Sequence, residues 1–502
     1  MIGPSGLVLA ILPIMASPAA AERVLLREDY QVLQRDSEDR AACAVALTPD
    51  LQHAAALFVK IVDARGKLIR QVDAAPIDIG AGKGVAIDAL AVGGPYAVTI
   101  AAKSDAGKTP LSIRHVLVGD IWILGGQSNM FGIDLIKEEL PALAYLNMLN
   151  PMHIEKDSHW CAGLPPIHRI PEAFSPFVLR TQHPEYSEEK IRGIVGDKTP
   201  VGGIDCSYFF ARKLHHESGV PIGLIPCAIG GALAIWNPDE REQNRYGFLQ
   251  HHVEIAGGRV KGLLFFQGEQ DAIFGDERET VTKPSLIAPI STYGDEFAKF
   301  VAALRKDFKN PDMPAIFAQI CRHHNSPEGR SKGWEIIREA QRTIPEHLAH
   351  AHCVPSIDLD LMDGLHLDYD SLKRVGERMA WLALPHVKKG ASPRSEIKLK
   401  SVAIAKDLRP RIAVEFSGVS GKLRAPGRPT GFVLKKKSTG ELLDWIYKVE
   451  FDPARPNAVI LHTTAAPKDD VVLFYGAGVA PYVNVVDEND MAVPAFGPIE
   501  LK

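Results

Sequence analysis

Between residue 118 and about residue 389 the chain repeatedly runs through a few consecutive apolar residues and then breaks into a polar tip. Ile121-Trp122-Ile123-Leu124 precedes Gly125-Gly126-Gln127-Ser128, Ile222 to Ile229 precedes Gly230-Gly231, and Leu263-Leu264-Phe265-Phe266 precedes Gln267-Gly268-Glu269. Unbroken apolar runs of this length read as strands covered on both faces. Stretches of helical character lie between them, from Tyr208 to His216 and from Glu296 to Phe308. The pattern predicts an α/β domain over 118–392, a parallel sheet with helices on both faces and its polar tips gathered at the C-terminal ends of the strands. Beyond Asp363-Gly364-Leu365-His366, the residues Leu372, Val375, Met379 and Leu382 share a helical face, with Asp370 or Ser371 as the N-cap.

The flanks are patterned differently. Residues 22–117 hold short alternating segments such as Ala56 to Val62 and Tyr96 to Ile100, which predicts a small antiparallel β domain. After the linker Lys388-Lys389-Gly390-Ala391-Ser392-Pro393, strand signals return at Ala413–Phe416, Gly431–Leu434 and Val471–Tyr475, predicting a β-sandwich over 393–502. Residues 132–202 follow neither period. As an insertion after the first polar tip they are expected either to wall a cleft, with Trp160 or Tyr186 as a sugar-stacking platform, or to be purely structural.

The polar tips carry groups suited to acyl transfer. Ser128 follows a strand and a glycine pair, the way a hydrolase presents a nucleophile. A serine needs a base and the base needs an orienting carboxylate, and Asp363 and His366 supply both from one short stretch. The Gln267 amide and the uncrowded backbone at Gly230-Gly231 are candidate oxyanion donors. Gln127 and Asn129 flank the serine, and Glu269 is expected to hold Gln267 or its loop rather than act as a second base. Singly, these features equally describe a turn serine and a helix cap.

Taken in order, Gly126-Gln127-Ser128-Asn129-Met130, Gly223 to Gly231, Gln267-Gly268-Glu269 and Asp363-Gly364-Leu365-His366 resemble the sialate O-acetylesterase branch of the SGNH (GDSL-like) hydrolases, including carbohydrate esterase family six. The resemblance implies a flavodoxin-like three-layer α/β/α catalytic domain with flanking β domains. It also implies that Ser128 is the nucleophile, that Asp363 and His366 complete a triad, that Gln267 serves the oxyanion hole, that no cofactor is used, and that the substrate is an acetylated carbohydrate. Ala232 and Phe265-Phe266 stand where the family often has Thr and Trp-Tyr, positions where substrate recognition would be tuned. Two other readings stand beside it: an esterase for non-carbohydrate acyl esters, and a glycan-binding protein with a relic site. The glycan is left open, leaning towards a plant-type polysaccharide.

Composition narrows the partners. The chain has 502 residues, 46% hydrophobic and 24% charged, with a formal net charge of -4, which gives no reason to expect nucleic acid or an anionic membrane. The run Lys435-Lys436-Lys437 reads as a solvated hairpin. An apolar stretch from Gly6 to Ala16 followed by Ala19-x-Ala21 resembles a signal peptide over residues 1–21, implying export to the periplasm or the medium. No other segment is apolar for long enough to span a membrane. The six scattered cysteines permit disulfides without forming a disulfide framework, and buried free thiols are expected at Cys227 and Cys321. The pairs His215-His216, His251-His252 and His323-His324 lack a compact ligand spacing, so no metal is expected.

Overall fold

The strand Leu111–Gly126 runs through two sheets. Its first half pairs antiparallel with Gly93–Ala102, and past Val118 it takes Ile222–Pro226 and Gly262–Phe266 as parallel partners. Burial follows the change: positions alternate before Val116, and every residue from there to Gly126 is buried. The expected boundary at 117/118 thus falls where the partners change, inside one unbroken strand. The computed structural model describes residues 23–501, apart from 55, 81, 104–106, 135, 151–157, 169–184, 186, 188, 191–202, 242–243, 275–288, 325–330, 393, 406–408 and 468. The leader-like residues 1–21 and Tyr186 lie outside the described residues.

Across the central sheet the strands run His159–Ala162, Leu146–Asn150, Ile222–Pro226, Leu111–Gly126, Gly262–Phe266, Ala315–Gln319 and Ala351–Pro355. All are parallel except the terminal hairpin strand His159–Ala162. Without that hairpin pair the chain order is 2-1-3-4-5, a doubly wound arrangement whose switch point lies beside Leu111–Gly126. Side chains leave alternate faces of each strand. Trp122, Leu124, Leu264, Phe266 and Ile316 enter one core with the helices Cys206–Ser218 and Tyr369–Val387. Ile121, Ile123, Leu263, Phe265 and Phe317 enter the other with Arg245–Ile255, Tyr293–Asp307 and Ser331–His347. Both faces are therefore covered, as the unbroken apolar runs predict.

Several expectations change. Phe265 and Phe266 are buried in opposite cores, so they hold the sheet rather than meet substrate. Ala232, likewise buried, precedes the short 3-10 helix Leu233–Trp236. Trp160 packs into the second core and is 3% exposed, which removes it as a stacking platform. In the N-terminal region most pairings are antiparallel, but Val24–Leu26 and Val32–Gln34 run parallel to Arg40–Ala46 and Leu111–Gly126, so the region is mixed. All six cysteines are free thiols, and Cys227 and Cys321 are buried. Among the described residues no helix is long and apolar enough to cross a membrane.

The C-terminal strands, including Arg411–Ser417, Phe432–Lys436 and Val471–Tyr475, bury Val414, Leu434 and Tyr475 in the same core as Ile357 and Val375 of the central domain. Polar contacts fasten the two together. Arg374 pairs with Asp490 at 2.7 Å, and Arg378 pairs with Asp358 at 2.7 Å while donating to the Asp490 carbonyl. Arg338, fully buried on helix Ser331–His347, donates to the carbonyls of Ile320 and Cys321 on one side and of Gly478 and Val479 on the other. Lys435 departs from the solvated hairpin, reaching Glu335 of the same helix at 2.6 Å with both side chains mostly buried.

Candidate active site

Ser128 is set by the end of the strand before it. Gly126 has φ 130°, and a Cβ there would lie 2.1 Å from the Phe266 carbonyl oxygen, so only glycine lets the two strand tips approach. The Gln127 N–H donates to that oxygen at 2.8 Å, and the chain turns at once into the helical turn Ser128–Phe131. Ser128 is 9% exposed, reachable from outside but with little freedom.

The loop after Leu361 meets this tip. His366 Nε2 lies 3.0 Å from Ser128 Oγ, and His366 Nδ1 lies 2.7 Å from Asp363 Oδ2. With Nδ1–H donated to the carboxylate, the Nε2 lone pair faces the serine hydroxyl, an assignment that follows from the hydrogen-bond network. Asp363 Oδ1 accepts from the backbone N–H of Leu365 and His366, at 2.6 and 2.7 Å. Partial burial raises the Asp363 pKa, but the hydrogen bonds from the His366 ring and from these two amides outweigh it and leave it below the usual carboxylate range. The loop is anchored further by the Met362 N–H on the His366 carbonyl and the His324 N–H on the Gly364 carbonyl. Helix Tyr369–Val387 then carries the chain away, with Leu372, Val375, Met379 and Leu382 on its buried side. Its N-cap is Asp368, which accepts from Ser371 N at 2.9 Å, and not Asp370 or Ser371; Ser371 Oγ instead accepts from the Asp360 N–H.

Gly231 lies on the loop that follows the strand Ile222–Pro226, with φ 146°, a conformation that favours glycine. Among the described residues the backbone N–H groups of Ser128, Gly230 and Gly231 make no hydrogen bond, and both glycines are half-buried. Gln267 is different. Its amide nitrogen donates to the Asp271 carboxylate and, at 3.2 Å, to the Gly231 carbonyl, while its oxygen accepts from the Tyr293 hydroxyl. Both amide hydrogens are thus taken inside the fold, and the side chain is 1% exposed. Gln267 holds the Gly231 turn in place instead of presenting a donor. Burial lifts the Asp271 pKa to about 6, against the opposing hydrogen bonds from Gln267 and Leu233.

Asn129 and Glu269 brace the serine from behind. Asn129 Nδ2 donates to Glu269 Oε1 at 2.7 Å, and its Oδ1 accepts from Leu367 N at 3.0 Å, which ties the serine turn to the histidine loop. Glu269 is fully buried, its other oxygen has no partner, and burial raises its pKa. Its contact is therefore with Asn129 rather than with Gln267. Gln127 Oε1 accepts from Gln270 N at 3.3 Å. The Cys321 thiol donates to the Leu365 carbonyl at 3.3 Å. A further buried pair was not singled out in sequence: His168 Nδ1 lies 3.3 Å from Asp205, the N-cap of helix Cys206–Ser218, and its Nε2 accepts from Ala228 N, steadying the approach to Gly230-Gly231. Only the Asp-before-helix pattern at Asp205 was visible in advance, since His168 is distant in sequence from both partners. Among the described residues no group of His, Cys, Asp and Glu is arranged to hold a metal.

The family model described as carbohydrate esterase, sialic acid-specific acetylesterase, matches residues 118–384, more than half of the chain. A probable carbohydrate esterase of Arabidopsis thaliana is 30% identical over 195 residues, which span 37% of this chain and 65% of that protein. The crystal structure of a carbohydrate acetylesterase from Xanthomonas citri superposes with a TM-score of 0.61 at 22% identity, covering 93% of this chain and 97% of the other, and so shares the fold.

Proposed function

Because the chain belongs to this family of sialic acid-specific acetylesterases and related carbohydrate esterases, we propose that it is a carbohydrate O-acetylesterase of the SGNH (GDSL-like) type working through a serine acyl-enzyme. The observation that carries the reading is the unbroken line from Asp363 through His366 to Ser128, beside unengaged N–H groups of Ser128 and Gly231.

Ser128 Oγ attacks the acetyl carbonyl carbon as His366 Nε2 takes its proton, and Asp363 holds the imidazolium by its Nδ1–H. The carbonyl oxygen, now negative, is met by the backbone N–H groups of Ser128 and Gly231, with Gly230 beside them. His366 returns the proton to the departing sugar oxygen, leaving Ser128 acetylated. Water, deprotonated by His366, then attacks the acetyl carbon and releases acetate and the free serine. No step calls for a cofactor. The leader-like residues up to Ala21 support an exported enzyme, where acetylated polysaccharides are found as substrates.

The test is acetate release from acetylated xylan, acetylated pectin, O-acetylated sialic acid and an aryl acetate, by wild type and by Ser128→Ala. Release from at least one acetylated carbohydrate, lowered about 10⁴-fold or more by the substitution, is expected. Hydrolysis of the aryl acetate alone would turn the reading to a non-carbohydrate esterase, and a folded wild type inert on all four would leave a glycan-binding protein.

A further inference from the structure

At the opposite end of the sheet from Ser128 lies a cavity of about 360 Å³. It opens where the N-terminal region, at Gln34 to Asp39, meets the start of strand Gly262–Phe266 and the ends of helices Tyr293–Asp307 and Tyr369–Val387. Asp120 in its wall is eight positions upstream of Ser128 on an extended strand, roughly 25 Å away. The cavity is therefore separate from the proposed catalytic centre.

Its charges do not balance. Arg35 reaches both carboxylate oxygens of Asp120 at 2.9 and 2.7 Å and also binds Asp39, so this trio keeps one net negative charge, and Gln34 donates to Asp120 as well. Asp36, whose Oδ1 accepts the backbone N–H groups of Glu38 and Arg40, adds a second negative charge. Against this the lining carries Arg259, Lys261, Lys309 and Lys389. Lys389 reaches only the Ser37 carbonyl, and the side chains of the other cations make no ion pair or hydrogen bond with any described residue. Lys309 and Lys389 follow helix ends and have a plain role there, complementing the terminal carbonyls. Lys261 does not: it enters a strand, its N–H donates to the Ile121 carbonyl, and its part-buried ammonium lies in the field of Asp120 and Asp39, both already held by Arg35, with no ion pair of its own among the described residues. A part-buried cluster in which cations outnumber carboxylates is unfavourable unless something outside the chain supplies the missing charge.

We infer that this cavity binds the oxyanion of a small ligand, a phosphate or a sugar carboxylate, with Lys261 as the central cation and Arg259 and Lys309 at its mouth. The volume suits a molecule of monosaccharide size. Phosphate and uronate share the recognised group, and their sources differ, so both are probes.

The experiment is isothermal titration of the full chain with inorganic phosphate, with D-glucuronate and with D-glucose at constant ionic strength, together with the shift in Tm each produces. Saturable binding of phosphate or glucuronate, not of glucose, is expected; Lys261→Met weakens it at least tenfold and leaves acetate release unchanged. Preference for one anion assigns the source. Should Lys261→Met fail to fold, Arg259→Ala combined with Lys309→Ala, both exposed positions, replaces it with the same readout. No saturable binding of either anion by folded wild type, or equal affinity in the variant, overturns the inference. Neither outcome depends on whether the chain is an esterase.

Discussion

Asn129 shows how a residue with no part in bond making holds the site together. One side of its amide takes Leu367 N and the other gives to buried Glu269, so it sets the distance between the serine turn and the histidine loop. Asn129→Ala is expected to lower kcat at least tenfold with KM little changed, and to destabilise the fold by about 2–3 kcal/mol because Glu269 loses its partner. Steady-state kinetics with a urea melt checks both; a rise in KM at unchanged kcat would make Asn129 a substrate contact instead. At this scale the sequence made the Ser128, Asp363 and His366 positions readable, because each sits in a short block and two of them are only three residues apart. Gln267 differs from its sequence expectation for a physical reason: an amide at a strand tip resembles an oxyanion donor, but the carboxylate of Asp271, one turn further on, claims it. The helix N-cap moved to Asp368 because Ser371, though a good capping residue, turns its hydroxyl to Asp360.

The elements that matter most are the two strand tips at Gly126 and Phe266, which lie so close that no side chain fits between them. Gly126→Ala combines a steric overlap with the Phe266 carbonyl and a φ that alanine resists, so a loss of about 3 kcal/mol or more and of the Ser128 geometry is expected. Circular dichroism melts and activity of the purified variant measure it; a variant as stable and active as wild type would mean that the tips separate freely. The central strands and the helices on both faces were legible because fully covered strands read as unbroken apolar runs, with Gly262–Phe266 a clear case. Less legible was the length of Leu111–Gly126, where the change from alternating to continuous apolarity marks the place at which one unbroken strand changes partners. The buried bond set of Arg338, which joins the Ile320–Cys321 turn to Gly478 and Val479, pairs residues too far apart in sequence for any local pattern to reveal.

For the whole molecule, buried histidines set a limit in acid. Burial, with the Arg245 guanidinium nearby, outweighs the hydrogen bond to the Phe248 carbonyl and holds His252 down from the usual 6.5 to about 4. Burial and the neighbouring His352, His350 and Lys261 do the same for His386. The unfolded chain takes up protons near pH 6.5 that these folded rings refuse, so protonation favours unfolding. Stability is then complete above about pH 6.5 and declines as the pH falls towards 4. Asp363, Glu396 and Asp490, all held below their usual range, add losses in the same direction at still lower pH. A urea midpoint that is level from about pH 8 to 7 and drops steadily from about pH 6.5 to 4.5 is expected, with the slope reduced in His386→Gln; a midpoint independent of pH over that interval contradicts the burial argument.

The central claim is that an acyl group passes through Ser128. Rapid acid quench during turnover of an aryl acetate, followed by peptide mass spectrometry, tests it most directly. The account predicts an acetyl group on the peptide at Ser128, formed in a burst that matches the enzyme concentration and absent in Ser128→Ala. Turnover without that adduct, retained when Ser128 is replaced, would contradict it.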